Sequence, residues 1–397
     1  MSILQGFKAW RRFKKLNWHW RNIVVYSESG QDWHQFEGLI RVLNEELNLK
    51  VCYVSSDSQD TGLMREHENF QSLCIPEGLF LTIFFQVAKA DIFVLTMMDL
   101  GNLQLKRSLH PVHYVYLFHS MGSTHMVDHA NSFDHYETLF CAGPHQVAEI
   151  RKREQLKDLP AKHLYDYGHP RLEQVKREGE ANVQAASQNE SNESEHTPVI
   201  LVAPTWGDTS LFNICGEALI GELLEAGFEV IMRPHYQSIK LSPKVVSSIR
   251  NQFKDHSRFE YIDQMAETNS ILRSDILICD WSAMALEYAL GLEKPVLFID
   301  VPRRIRNPDW RELEIEPIES SIRTKVGKVI SPDNLQESVG VIHELLSRRP
   351  EFASRMSELR DQTVFRFGHS VSDGAHELAR LAKQQQGLRL AREEEHA

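Results

Sequence analysis

Asp275-Ile-Leu-Ile-Cys-Asp280-Trp-Ser282-Ala-Met-Ala-Leu-Glu287-Tyr-Ala-Leu290 reads as an aliphatic strand running straight into a helix. The run Ile276–Cys279 is short, continuous and apolar, as in a strand buried on both faces. Asp280 and Ser282 stand at the junction, where either side chain caps the helix. The free N–H groups and dipole of a helix start also attract an anion, worth about 0.3–1 kcal/mol when exposed. Glu287 lies one turn inside the helix on an otherwise apolar stretch. It suits the two hydroxyls of a ribose, and it reads equally as a surface Glu, as Ser282 reads equally as a plain cap.

The same strand-then-helix grammar extends in both directions. Upstream, strands are expected at Val199–Ala203 and Glu229–Arg233, with a helix over Leu211–Ala226 closed by Gly227; downstream, one is expected at Pro295–Ile299, and the tail from Pro332 is helical. The first half alternates too. Buried-strand runs fall at Ile23–Tyr26, Val51–Val54, Ile92–Leu95, Val112–Phe118, Leu139–Ala142 and His163–Tyr167, with a helical period over Asp32–Leu47. Between the halves, residues 177–197 (REGEANVQAASQNESNESEHT) are poor in apolar side chains and read as a linker. The expected fold is therefore α/β: two Rossmann-like doubly wound domains, residues 22–176 and 198–385. A basic aromatic segment (1–21) precedes them, and a charged tail (386–397) follows. Open parallel sheets bind ligands outside their carboxyl ends, so a cleft between two such ends is the expected site.

Composition narrows the function. The chain has 397 residues, 42% hydrophobic and 25% charged, an ordinary globular balance. A net charge of -11 argues against general nucleic-acid binding, which needs clustered Lys and Arg. The five cysteines are scattered and set mostly in apolar runs, as reduced core thiols are, and no leader-like apolar run opens the chain. The apolar stretch Gly78–Met98 carries Lys89 and Asp91, so it divides into a helix and a buried strand rather than spanning a bilayer.

Unusual polar residues sit just past the strands. His119 ends the strand Val112–Phe118, before a small-residue turn with Gly122 and Ser123; a His there acts as a base near neutral pH or caps the next helix. Arg233 and His235 end the strand Glu229–Arg233, and together suit a diphosphate or form a surface turn. Thr205, in Val202-Ala-Pro-Thr-Trp-Gly-Asp208, is a phosphate contact or part of a plain loop. Arg171, in Gly168-His-Pro-Arg171, is a weaker candidate. His125 and His129 have the i, i+4 spacing of a helical metal pair, but no acidic partner completes a ligand motif. There is also no Asp-x-Asp for a nucleotide-bound cation, so no metal is expected.

Taken together, the element ending at His119, Gly168-His-Pro-Arg171, Ala203-Pro-Thr-Trp206, Arg233-Pro-His235 and Ser274-Asp-Ile-Leu-Ile-Cys-Asp280-Trp-Ser282 resemble the CDP-glycerol glycerophosphotransferase family, the teichoic-acid polymerase and primase type. The resemblance spans roughly residues 111–300. It implies a GT-B fold and transfer of glycerol phosphate, or ribitol phosphate, from a CDP-activated donor to a lipid-linked acceptor, with no cofactor. It also implies that His119 deprotonates the acceptor hydroxyl, that His235 stabilises the leaving diphosphate, that Ser282, Asp280 and Thr205 hold donor phosphates, and that Arg171 lies near the active-site loop.

The sequence also departs from the pattern. The family usually has Trp-His-Gly where Phe118, His119 and Ser120 stand, and a second Ser where Ala283 stands. After Asp300 it tends to carry a Tyr and an Arg-Gly element, where this chain has Pro302-Arg-Arg-Ile-Arg306. The donor thus stays open to another CDP-alcohol. Two alternatives remain: a GT-B glycosyltransferase or epimerase using a UDP-sugar, and a non-catalytic surface-polymer binding protein. At the N-terminus, Trp10, Phe13 and Trp18 interleave with Arg11, Arg12, Lys14 and Lys15. Such a segment either lies in an anionic bilayer interface or packs on the protein with a solvated basic face. The first reading implies a cytoplasmic protein peripheral on the inner face of the cell membrane.

Overall fold

Parallel pairing organises both halves of the chain. The computed structural model describes residues 3–98, 100–101, 105–126, 128–188, 197–264 and 267–395. One unit comprises Met1–Ser120, Asp128–Pro170 and Val364–Ala397; the other comprises Met121–Val127 and Arg171–Thr363.

Among the described residues the first unit holds a seven-stranded sheet: β1 (Ile23–Ser27), β2 (Val51–Ser55), β3 (Phe70–Cys74), β4 (Ile92–Leu95), β5 (His113–Leu117), β6 (Thr138–Cys141) and β7 (His163–Asp166). Their order is β3-β2-β1-β4-β5-β6-β7, all parallel. The two-residue period of a strand explains its two cores. Val24, Tyr26 and Phe93 face one hydrophobic cluster with the helix Leu79–Val87. Ile23, Val25 and Val94 face the other, with the helices Trp33–Arg41 and Ser370–Glu395.

The second unit repeats the plan with β8 (Val199–Val202), β9 (Glu229–Met232), β10 (Phe259–Tyr261), β11 (Ile276–Cys279), β12 (Val296–Ile299) and β13 (Gly327–Ile330). These run in order β10-β9-β8-β11-β12-β13, again all parallel. Strand order reverses between β8 and β11, which opens a crevice at their carboxyl ends. The ten strands expected from sequence form within a residue or two of their limits. The unanticipated β3, β10 and β13 are edge strands of mixed burial, so they lack the continuous apolar run that marks a central strand.

Three boundaries differ from expectation. Residues 177–188 are not a linker: they continue the helix Pro170–Gln188, because Arg, Glu, Ala and Gln all favour helix. Leu172 and Val175 seat its first turns against Gly291; residues 189–196 lie outside the described residues. The C-terminal helix belongs to the first unit, not the second. Leu378 and Leu381 enter its core, His163 meets Glu377 at 2.7 Å, and Arg389 pairs with Asp91 at 2.9 Å. The charged residues 386–395 continue the same helix, as expected of the helical tail from Pro332 onward.

The N-terminal segment is likewise built in. On the helix Ile3–Lys15, Phe13 is buried edge-on against Phe84, with ring centroids 4.9 Å apart, and Trp10 packs on the same core. Trp18 carries the guanidiniums of Arg21 and Arg389, 4.4 and 4.0 Å from its ring centroid. Arg11, Arg12, Lys14 and Lys15 face solvent. Aromatic side chains thus dock inward while the basic ones form an outer face. No described helix is long and apolar enough to cross a membrane.

Candidate active site

The loops after β8, β9, β11 and β12 build the carboxyl end of the second sheet. Asp280 organises them. It is fully buried, and its carboxylate accepts the backbone N–H groups of Thr205 (2.7 Å), Leu211 (3.0 Å) and Trp281 (2.7 Å). Burial pushes its carboxyl up from the ordinary value, and these three amides pull against that. The expectation that Asp280 holds phosphate is therefore corrected: its oxygens are spent on tying the β8 loop to β11 across the switch point. The Ser282 hydroxyl accepts from Met284 N–H at 3.3 Å, from one residue ahead of Ala283, the N-cap of the helix Met284–Leu292.

Arg233 also differs from expectation. It is almost fully buried, reaches Ser270 at 3.4 Å, and has its pKa lowered by burial. Glu267 and Glu287 lie close enough to oppose that shift and Arg171 close enough to add to it. Arg233 therefore supports the site from beneath, with Glu287 and Arg171 gathered around it. Arg171 also bonds Gln174 at 3.3 Å.

His235 caps the helix Tyr236–Leu241, its Nδ1 accepting the Gln237 N–H at 3.1 Å. An accepting Nδ1 leaves the ring proton on Nε2. Burial first, and then the positive charge of Arg304, lower its pKa from 6.5 to about 4, so the ring is a neutral N–H donor at pH 7. Trp206 stacks beside it at 6.1 Å with 29° between the planes, and the Arg304 guanidinium carbon lies 3.2 Å from the Trp206 ring centroid. Trp281 is gripped in the same manner by Arg303 (4.6 Å) and Arg323 (4.0 Å), and Arg323 is ion-paired with Asp300 at 2.6 Å.

In the first unit, His119 follows β5 and is exposed, its ring 6.5 Å from that of Tyr116. A residue overlooked in the sequence supports its turn. Gln146, fully buried on the helix Pro144–Lys157, donates to the Ser120 carbonyl at 3.0 Å and accepts from Ala142 N–H at 2.8 Å. Gly168 adopts φ +94°, and a Cβ there would sit 2.2 Å from the Phe365 carbonyl oxygen, so only glycine fits.

The segment after His119 has a structural duty within the second unit. Ser123 N–H donates to Glu319 at 2.8 Å, and its hydroxyl accepts from Ile318 N–H at 2.8 Å. His125 is buried, its Nε2 3.1 Å from the Ile315 carbonyl, while Asn307 donates to the His125 carbonyl at 2.8 Å. A ring engaged with a backbone carbonyl accounts for His125 without a metal. Among the described residues, no group of three or more His, Cys, Asp or Glu converges as a metal site.

The profile of the CDP-glycerol:poly(glycerophosphate) glycerophosphotransferase family matches residues 125–302. Over those residues the chain is similar to the glycerophosphotransferase family. The matched segment contains Arg171, Thr205, Arg233, His235 and Asp280–Ser282. Among solved structures, the wall teichoic acid polymerase TagF superposes with a TM-score of 0.62 at 14% identity, covering 97% of this chain and 95% of that one. A variant of the same polymerase soaked with CDPG gives 0.56 at 12% identity, covering 97% and 95%. UDP-GlcNAc 2-epimerase from Neisseria meningitidis, bound to UDP-GlcNAc, gives 0.60 at 15% identity, covering 90% and 99%. These likenesses fix the fold class as the GT-B kind, two Rossmann-like parallel-sheet units. No curated protein sequence matches the chain.

Proposed function

We propose that this protein transfers glycerol phosphate, or a related polyol phosphate, from a CDP-activated donor to the hydroxyl of a lipid-linked acceptor in surface-polymer synthesis. The observation that carries the reading is the neutral His235 ring. Its Nε2 proton is aimed by an accepting Nδ1, in the segment that matches the family. His119 takes the proton of the acceptor hydroxyl as its oxygen attacks the distal phosphorus of the donor. The phosphoanhydride bond breaks, and its electron pair leaves on the nucleoside monophosphate. The leaving group is thus a monophosphate, not the diphosphate anticipated from the resemblance, and His235 Nε2–H donates to its developing charge. An uncharged donor suits this task, because it stabilises the leaving oxygen without giving up its proton. Thr205, Ser282 and the buried Arg233 shape the donor pocket. The basic outer face of the N-terminal helix supports a peripheral position on an anionic membrane, at about 1 kcal/mol per Lys or Arg near the surface. There, on the cytoplasmic side, a lipid-linked acceptor would be presented.

The test is nucleotide release from CDP-glycerol, CDP-ribitol and UDP-GlcNAc, each with a detergent-dispersed glycerophosphate-terminated acceptor. CMP release from a CDP-alcohol, coupled to acceptor extension, is expected. Turnover of UDP-GlcNAc alone would move the assignment to sugar chemistry, which shares this fold in the epimerase neighbour. Binding without turnover of any donor would make the protein a surface-polymer binding module.

A further inference from the structure

We propose that the basic cavity at the amino end of the first sheet holds phosphodiester groups of the growing acceptor polymer, away from its reacting end. The proposal rests on the reading above for the identity of that polymer. The cavity, of about 670 Å³, lies between the turn Trp18–Trp20, the residues just before β1 and β2, and the helix Ser370–Glu395. His19, Asn48, Lys50, Arg380, Lys383 and Gln386 line it, and among the described residues no Asp or Glu does. In a chain of net charge -11, such a wall is a local reversal of sign.

The positive charge there is not spent within the protein. Lys50 Nζ lies 4.9 Å from the Trp20 ring centroid, a contact that positions the ammonium and neutralises none of its charge. Among the described residues neither Lys50 nor Lys383 has a carboxylate within ion-pair distance. Arg380 is anchored by Glu377 at 2.6 and 2.7 Å, so it adds little net charge. Arg21, next to the cavity-lining Asn22, adds a further guanidinium, laid on Trp18. Asp91 is a carboxylate whose field reaches Arg21, yet Arg389 already bonds it at 2.9 Å. Arg21 Nε is buried without an acceptor. Arg21, Lys50 and Lys383 are thus left without a carboxylate of their own.

The amino end of the second sheet shows the contrast. Its cavity, of about 720 Å³, is also lined by cations, but each is engaged. Lys176 meets Glu293 at 2.8 Å, Arg349 meets Asp275 at 3.4 Å, and Arg273 meets Glu260. Lys294 donates to the carbonyls of Leu272 and Ser274 at 2.7 and 2.6 Å. That cavity has no charge left for an anion, and the first one has.

The form of the charge selects a chain of phosphates over one enclosed oxyanion. Lysine ammoniums are point charges on flexible stems, without the planar fork that fixes a single phosphate. His19, Arg380 and Lys383 are exposed at the mouth, so a polymer can pass along it. β1 and β2 are five residues long, which puts roughly 16 Å between this end and the carboxyl end where His119 stands. Repeats already joined can therefore occupy the cavity while the terminal hydroxyl is at His119.

The test is calorimetric titration of a soluble glycerol phosphate oligomer, without donor, into the full-length protein and two double variants, Lys50→Gln/Lys383→Gln and Lys244→Gln/Lys254→Gln. The second pair removes equal charge from exposed lysines of the second unit. The first pair should weaken oligomer binding by about 5-fold or more, the sum of two partly exposed charge contacts, and make it less sensitive to salt. The second pair should match the parent. CMP release with a short acceptor should be unchanged in Lys50→Gln/Lys383→Gln, while its polymer products should be shorter. Equal oligomer binding by that variant and the parent, or none by the parent, refutes the site, and CMP release from CDP-glycerol would still uphold the transferase reading. Competition by inorganic phosphate as strong as by the oligomer would make the occupant a free phosphate and overturn the proposal. Loss of anionic vesicle binding with oligomer binding intact would make it a lipid headgroup, with the same result. If the oligomer binds through these lysines but no CDP-alcohol turns over, the site stands and the transferase reading falls. Should the first pair not fold, Lys383→Glu on the exposed helix face serves instead, and unchanged oligomer affinity in it refutes the site.

Discussion

His235 makes a sharp thermodynamic prediction. Its ring titrates at about 4 in the folded protein against an ordinary 6.5. As pH falls below 6.5 the unfolded chain takes up the proton first, so stability is lost on acidification and the loss is complete only below the folded value. Linkage gives a loss of about 2 kcal/mol between pH 7 and pH 5 from this ring alone. His235→Asn isolates it. Asn places an acceptor near the position of Nδ1, preserving the cap on Gln237 N–H, and it has no proton to gain. Urea unfolding of both proteins at pH 7 and pH 5, followed by circular dichroism, yields the double difference, in which the other titrating groups cancel. The variant should lose about 2 kcal/mol less than the parent over that interval. Equal losses would mean that His235 is solvated and protonates normally, and the neutral-donor role would fall with it.

His119→Ala should lower acceptor-dependent turnover by at least about 100-fold while the protein stays folded, since the ring is exposed; near-normal turnover would remove His119 from the chemistry. Nucleotide release should survive EDTA, because His235 Nε2–H serves the leaving group. Activity lost to chelation and regained with magnesium would reverse that. Replacing Lys8, Arg11 and Lys15 by Gln should release the protein from anionic vesicles without unfolding it. Deleting Met1–Arg21 should instead destabilise the first unit by several kcal/mol, because Phe13 alone is worth about 3–5 kcal/mol as a truncated core aromatic. Unaltered vesicle binding by the triple variant would place any membrane contact elsewhere.

Much of the architecture is legible because its central strands are buried on both faces. Runs such as Val199–Val202 and Ile276–Cys279 have no other stable home than a covered parallel sheet. Edge strands such as β10 (Phe-Glu-Tyr) carry no such mark. Long-range docking is harder to read: nothing local in Glu377 or Arg389 says that they meet His163 and Asp91 in the other half of the sequence. The site behaves alike. His119, Thr205, His235 and Ser282 could be picked out as polar residues just past strands, since topology alone directs that position toward a crevice. Asp280 carried the same mark but is turned inward, and its three amide partners exist only once the loops are folded. Arg304 stood out merely as part of a basic run, because its stacking depends on a tryptophan four strands earlier in the chain.

The route of the chain between the two units bears on how the protein is made. Residues Arg171–Thr363 are an insertion within the first unit, whose closing helix follows that insertion in the chain. When Thr363 emerges, the sequence of the second unit is complete, whereas the first still lacks Leu378, Leu381 and the partners of His163 and Asp91. A nascent chain would therefore hold the first sheet with one face partly uncovered until the helix Ser370–Glu395 has been made, and a premature stop after residue 363 would leave that face exposed for good. Such a product would be a substrate for chaperones and proteases even though every residue of the donor site had been translated.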